Sequence, residues 1–279
     1  MKIHHFAISL LNKIFFRYFF KKPQLRVLTF HHINEKNFDL MKKNLLDLKK
    51  NYEILDPDNF FHIIKNKKQL DKNSILLTFD DGYYSQKNFA ERVLSELKIK
   101  AIFFIIPNFL KIKNISKSKK FIYKNINKFI DFSKFDFSMR NMSIDDLKYL
   151  KNKGHHIGMH TLNHKNLSFI RNKNILRKEI FSDLSFFKKL LKLKSPLSFA
   201  YPFGNISSIN HSSVKMIYKY YDCIFSGVRG DNSNLYMKDI LLRDAITDKD
   251  DFNLIESFLK GISDFYYKSD RKKLDLLIK

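Results

Sequence analysis

Residues 74–83 read SILLTFDDGY, an apolar strand that ends in two acids and a glycine. Residues 75–79 form a short β-rich apolar run, the pattern of a strand covered on both faces of a parallel sheet. The run ends in Asp80, Asp81 and Gly82, and a glycine there fits a sharp strand-to-loop turn where a Cβ would clash. Two adjacent like charges are unfavourable unless each has a task. At such a turn neighbouring side chains need not point to opposite faces, so both carboxylates can reach one pocket. The same residues also read as a solvated turn ahead of a helix N-terminus, where acids are common.

Outward from this strand, further strand signals fall at 26–30, 101–106, 156–159, 197–201, 221–225 and 240–243. Helical periodicities lie between them. Met41, Leu45 and Leu48 share one face, and Phe89, Val93 and Leu97 share another. Ser143 and Asp146 read as a capping box opening the helix of Leu147 and Leu150. Ile180, Leu184, Phe187 and Leu191 mark a fourth helix, and Leu254, Ile255, Phe258, Leu259 and Ile262 a last one. This alternation demands a parallel α/β fold. In a chain of 279 residues with no repeat or linker it predicts one domain over 25–279.

His160 and His164 lie in a glycine-punctuated polar segment that reads as a strand running into a loop. Two imidazoles and one carboxylate make a divalent-metal site with open positions, and the second carboxylate is left as a base. That inventory suits metal-assisted hydrolysis. The pair also fits an ordinary hydrogen-bonded histidine cluster. The single Cys223 excludes an intrachain disulfide and sits in a strand signal, as a small core residue would.

Three ordered motifs carry a family resemblance. They are residues 78–83 (TFDDGY), residues 160–164 (HTLNH) and residues 199–204 (FAYPFG), supported by residues 101–104 and by Met142-Ser143. Together they resemble the polysaccharide deacetylase (NodB-homology) family over roughly residues 25–245. The resemblance implies a distorted, incomplete (β/α) barrel with its chemistry at the C-terminal strand ends. It implies Asp81, His160 and His164 as ligands of one divalent metal, foremost zinc, with cobalt or nickel as alternatives. Asp80 matches the general base and Phe203 the residue whose backbone N–H holds the oxyanion, while Tyr83, Tyr201 and Pro202 match motif positions lining the substrate. Two positions depart from the family. Ala200 stands where many members have an arginine orienting the base, and the C-terminal Leu-x-His that supplies an acid is here Leu241-Leu242-Arg243. Arg243 is expected to supply the guanidinium near Asp80. Residues 28–33 (LTFHHI) are similar to the N-terminal aromatic-His motif of the branch that includes poly-N-acetylglucosamine deacetylases, which makes His31 the expected general acid. His31 also fits a buried strand-end histidine.

Lys and Arg number 52 against 28 Asp and Glu, a formal charge of +24. Such an excess points to an anionic membrane surface or acidic glycan, or reflects the Lys-, Asn- and Ile-rich usage of an AT-rich genome. No helix-turn-helix, zinc-knuckle or RNA-recognition pattern occurs, so nucleic acid is not an expected partner. Residues 1–24 read as an amphipathic basic helix, too short and charged to span a bilayer and without a signal-peptide cleavage pattern. Such a helix suits the headgroup region, placing the protein peripherally on the cytoplasmic side of the inner membrane; docking on the barrel is the alternative. Residues 111–137 form a Lys- and Phe-rich insertion over the site: a lid, a second membrane contact or an extra basic helix.

The sequence therefore predicts a metal-dependent hydrolase that removes an N-acetyl or related N-acyl group from an envelope polysaccharide or lipid-linked sugar. Three rivals stand beside it: a silent glycan-binding or scaffold protein, a hydrolase of a small amide, and a non-haem iron oxygenase, which needs no second acid. Oligomeric state leaves no trace in the sequence.

Overall fold

The structure is a computed structural model and describes residues 22–194 and 196–278. The expected N-terminal helix lies outside the described residues apart from its last three positions. Among the described residues nine strands build one sheet: β1 (Leu25–Phe30), β2 (Glu53–Ile54), β3 (Ser74–Phe79), β4 (Ile102–Ile105), β5 (His156–Met159), β6 (Ser198–Ala200), β7 (Cys223–Phe225), β8 (Ile240–Leu241) and β9 (Asp244–Ala245). Their order is β8-β7-β6-β5-β4-β3-β1-β9, with β2 beside the start of β3. All pairings are parallel.

The two ends of this path, β8 and β9, are separated in sequence only by Leu242 and Arg243. The sheet therefore curls until that dipeptide bridges the gap, giving an incomplete (β/α) barrel. Buried Asn232 ties the bridge down. Its side chain accepts from Leu242 N at 2.8 Å and donates to Leu242 O at 3.1 Å, while its own N–H donates to Leu25 O at 2.8 Å. β9 is held on β1 by charge as well as by backbone. Arg26 is buried and forks onto both oxygens of buried Asp244 at 2.9 Å, with Asp264 accepting at 2.7 and 3.0 Å. A fully satisfied pair of this kind specifies register more than it adds stability, since both ions lose their hydration.

The expected helical faces of Met41, Leu45, Leu48 and of Phe89, Val93, Leu97 are buried, in Phe38–Asn51 and in the helical run 84–97. Ser143 and Asp146 cap each other's backbone at the start of Ile144–Asn152. Three expectations need correction. The fourth helix is two, Lys173–Phe181 and Leu184–Leu190, because Ser182 turns its hydroxyl onto Lys178 O at 2.7 Å and Asp183 leaves helical ψ. The helix of Leu254 ends at Leu259, short of Ile262, and a further helix follows at Lys268–Ile278. The strand expected over 240–243 stops at Leu241, where the chain crosses to the other sheet edge.

Residues 111–137 contain the Asn114-capped helix Ile115–Phe121, a π-helical stretch Ile122–Ile126 and a 3-10 turn Phe132–Lys134. Their apolar side packs on Tyr83, Ile106 and Phe109, with Phe121 stacked on Phe109 at 5.1 Å. The segment is thus an integral layer over the strand ends.

Candidate active site

Each candidate residue follows the C-terminal end of a strand: His31 after β1, Asp80 and Asp81 after β3, His160 after β5, Phe203 after β6 and Arg243 after β8. The turn after β3 is sharp because Asp81 and Gly82 are both left-handed, at φ 78° and 85°. It sends the two neighbouring carboxylates to one imidazole. His160 Nε2 lies 3.6 Å from Asp81 Oδ1 and 3.9 Å from Asp80 Oδ2. His164 Nε2 is 3.5 Å from the same Asp81 oxygen.

The imidazole tautomers follow from their partners. His160 Nδ1 sits 2.8 Å from Ala200 O and His164 Nδ1 2.7 Å from Asn125 O. A carbonyl only accepts, so each Nδ1 carries the hydrogen and each Nε2 presents a lone pair toward Asp81. Burial holds both histidines neutral, with His160 pushed down to about 3. These contacts are therefore not ion pairs. Asp81 Oδ1 is buried without a hydrogen-bond partner, and burial, with the Asp80 charge adding to it, lifts the Asp81 carboxyl to about 7. Ligand atoms of Asp81, His160 and His164 lie within 4.8 Å of one another. Two lone pairs and an orphaned carboxylate oxygen fit a divalent cation.

Asp80 is different. Arg243 grips it with both ends of its fork, Nη1 to Oδ1 at 2.7 Å and Nη2 to Oδ2 at 2.8 Å. Burial opposes ionisation, but the guanidinium outweighs it and holds the Asp80 carboxyl down at about 2. The guanidinium is itself placed by Nε donating to Ser226 O at 2.7 Å.

His31 is exposed and lies close enough to act electrostatically on both Asp80 and Asp81. His32 instead turns to Ser85 Oγ, 3.0 Å from its Nδ1, and toward Asp136. Phe203 adopts φ 64° and is 52% exposed, with its ring 4.8 Å from that of His164. Gly204 follows because a Cβ there would meet Gly227 N at 2.5 Å. The structure does not bring the Tyr83 and Tyr201 side chains to an open surface. Tyr83 is buried against Phe109, and Tyr201 places its hydroxyl 2.9 Å from Ser213 Oγ in the core. Pro202 is also buried.

Several residues around the site escaped the sequence reading. Gln86 donates to Asp80 O at 2.5 Å and His31 O at 3.1 Å, tying the ends of β3 and β1 together. Asn125, in the insertion, orients His164 through its carbonyl. The 160–164 loop bends through left-handed Thr161 and His164, at φ 60° and 58°. Glu179 holds that bend, accepting from Asn163 N at 2.9 Å and Nδ2 at 2.8 Å, while Asn108 Nδ2 donates to Asn163 Oδ1 at 2.7 Å. Glu179→Ala is expected to loosen metal binding by about tenfold or more, as losses outside the ligand set commonly do. Competition against a chromophoric chelator measures this; wild-type affinity would show that the loop holds itself.

The fold therefore gathers one carboxylate and two histidines at the C-terminal strand ends, where (β/α) barrels carry their sites. Residues 67–219 match the family model for polysaccharide deacetylase, and the chain belongs to that family. Among solved structures it is similar to the Streptococcus pyogenes deacetylase PplD in complex with acetate: 18% identity, 86% of this chain, 99% of that chain and a TM-score of 0.66. IcaB from Ammonifex degensii gives 18% identity, 85% and 97% coverage and 0.64. The BpsB deacetylase domain from Bordetella bronchiseptica gives 14%, 80%, 96% and 0.61. At such identities the likeness is one of fold. No curated protein sequence matches significantly.

Proposed function

We propose that the protein is a divalent-metal-dependent hydrolase that removes an N-acetyl or related N-acyl group from a sugar of a cell-envelope polysaccharide or lipid-linked glycan precursor. The observation that carries this is the split between neighbouring acids, Asp81 aimed with two neutral imidazoles at a common point and Asp80 held ionised beside it. Asp81, His160 and His164 would hold the metal, zinc foremost, with cobalt or nickel as alternatives. When bound, such an ion acidifies a water and polarises the acyl carbonyl.

The chain's own residues do the rest. Asp80 accepts the proton of the attacking water, which its pairing with Arg243 leaves it free to do as a carboxylate. The Phe203 backbone N–H is assigned to the developing oxyanion, an interaction worth ~3–4 kcal/mol in comparable sites. His31, the exposed imidazole nearest in influence to both acids, donates a proton to the leaving nitrogen as the C–N bond breaks. Acetate and a free sugar amine result. The partner is then an N-acetylated glycan or lipid-linked sugar, and the charge of +24 suits a peripheral position on an anionic membrane. No helix among the described residues is long and apolar enough to cross a membrane.

Acetate release from a panel of soluble and lipid-linked N-acetylated glycans tests the reading. Release by zinc-loaded protein that chelator abolishes is expected; tight zinc binding with no release from any member would count against the acyl group or the substrate class.

Metal binding itself should be proton-linked. Burial lifts the Asp81 carboxyl to about 7, whereas it lowers both histidines, His160 to about 3. Binding must therefore expel one proton at lower pH, and zinc affinity should fall about tenfold per pH unit below 7 and level off above it. Calorimetric titration across that range reads the slope. A slope of two protons would mean a histidine also has to be discharged.

A further inference from the structure

Beside Phe203 the active-site face carries a groove of about 490 Å³ lined by Tyr123, Phe129, Phe169 and Phe203, with Lys124 and Lys128 among its other walls. Phe129 is 84% exposed, Phe169 76% and Tyr123 51%. Aromatic surface of this extent, gathered in one place on a soluble-type fold, marks a contact site. Two of these side chains, Tyr123 and Phe129, belong to residues 111–137, which hold eight lysines against two aspartates, six net positive charges. That segment is tied to the catalytic centre through the Asn125 carbonyl on His164.

We propose that this aromatic and lysine-rich patch seats the protein on an anionic lipid bilayer, with the mouth of the site facing the headgroups. Phe129 and Phe169 would enter the headgroup–acyl boundary, and the flanking lysines would meet lipid phosphates. The charge decides the occupant. Removal of acetyl groups leaves ammonium groups on the sugar, so a polymeric product would be repelled by Lys124 and Lys128. A phosphate-bearing membrane surface is attracted by the same groups, and a sugar anchored there reaches the site without leaving the bilayer. The aromatic and lysine-rich patch marks a contact site by itself; the exclusion of a polymeric product and the lipid-anchored substrate rest on the function proposed above.

The full chain contains no tryptophan, so Phe129→Trp provides a single, selectively excitable indole in the patch. Tyr266→Trp serves as the control. It is 73% exposed and adjoins Asp264, bonded to Arg26 near the start of β1, away from the strand ends that form the site. With vesicles of phosphatidylglycerol and phosphatidylcholine carrying brominated acyl chains, Phe129→Trp emission should shift to the blue and be quenched. Phosphatidylcholine alone should give neither effect, and Tyr266→Trp should be unmoved. Phe129→Ser combined with Phe169→Ser should weaken partitioning onto the anionic vesicles by about tenfold. Vesicle binding with an unshifted Phe129→Trp would overturn the proposal, because another part of the chain would then be the contact. A shift produced by a soluble anionic polymer but not by vesicles would overturn it in favour of an acidic glycan. The readout involves no turnover, so a protein that docks but releases no acetate would refute the proposed activity and leave the docking intact.

Discussion

Arg243→Met is expected to destabilise the protein by about 3–5 kcal/mol and to raise the acid limb of its pH–rate profile. The stability loss follows from removing one partner of a buried pair, which leaves the other charge without compensation. Asp80 and Arg243 are both buried and are joined by two hydrogen bonds at 2.7 and 2.8 Å. In wild type burial pushes the Asp80 carboxyl up and Arg243 more than offsets it, giving a folded value of about 2 against an ordinary 3.8. A carboxyl depressed on folding contributes stability that is complete above about pH 4 and is lost as pH falls toward 2. Without the guanidinium, burial prevails and the sign reverses. Asp80 then takes up its proton at a pH above the usual carboxylate range, and the base is lost to protonation where wild type keeps it. Denaturant unfolding reads the first effect and a pH–rate profile the second. Arg243→Lys should lie between, because an ammonium keeps the charge but cannot make two parallel bonds to one carboxylate. A methionine variant with the wild-type acid limb would show that something other than Arg243 keeps Asp80 ionised.

The position of Arg243 also shows how far the sequence reveals the site. Strands β3 and β4 were legible from their apolar runs at Ile75–Leu77 and Ile102–Ile105, while β1 and β5 were picked out despite Arg26 and Gly158. β9 was not, because its first residue is Asp244, a charge that hydrophobic periodicity assigns to a loop and that chiefly Arg26, 218 residues away, makes tolerable in a sheet. Without β9 the sequence cannot show that residues 242 and 243 bridge the sheet's ends, the placement that carries the guanidinium to Asp80. Asp81, His160 and His164 could be picked out because their spacing repeats a known motif. Asn125, Gln86 and Glu179 could not, since each acts through a backbone group or an amide contact that leaves no pattern. The Tyr83 and Tyr201 motif positions illustrate the converse: each lies just past a strand end beside the site in sequence, yet its side chain is buried in the core.

Asp80→Asn should cut deacetylation by about 10²–10⁴-fold while the protein still binds one metal ion per chain. The substitution is nearly isosteric, and it leaves the ligand atoms of Asp81, His160 and His164 untouched. It removes the only carboxylate at the site that stays ionised throughout the physiological range. It also strands the Arg243 charge, so some loss of stability is expected, and activity must be compared at a temperature where both proteins are folded. Asp81→Asn supplies the contrast. Its carboxyl, raised to about 7, is the group a cation has to claim, so this variant should lose metal and activity together. Two acids adjacent in sequence would thus fail in different ways, one with the metal in place and one without it. The environments that push their proton affinities apart are the physical basis of that division of labour. Metal content measured beside acetate release for the two variants decides it. If Asp80→Asn also lost its metal, Asp80 would have to be counted among the ligands, and the proton of the attacking water would need another acceptor.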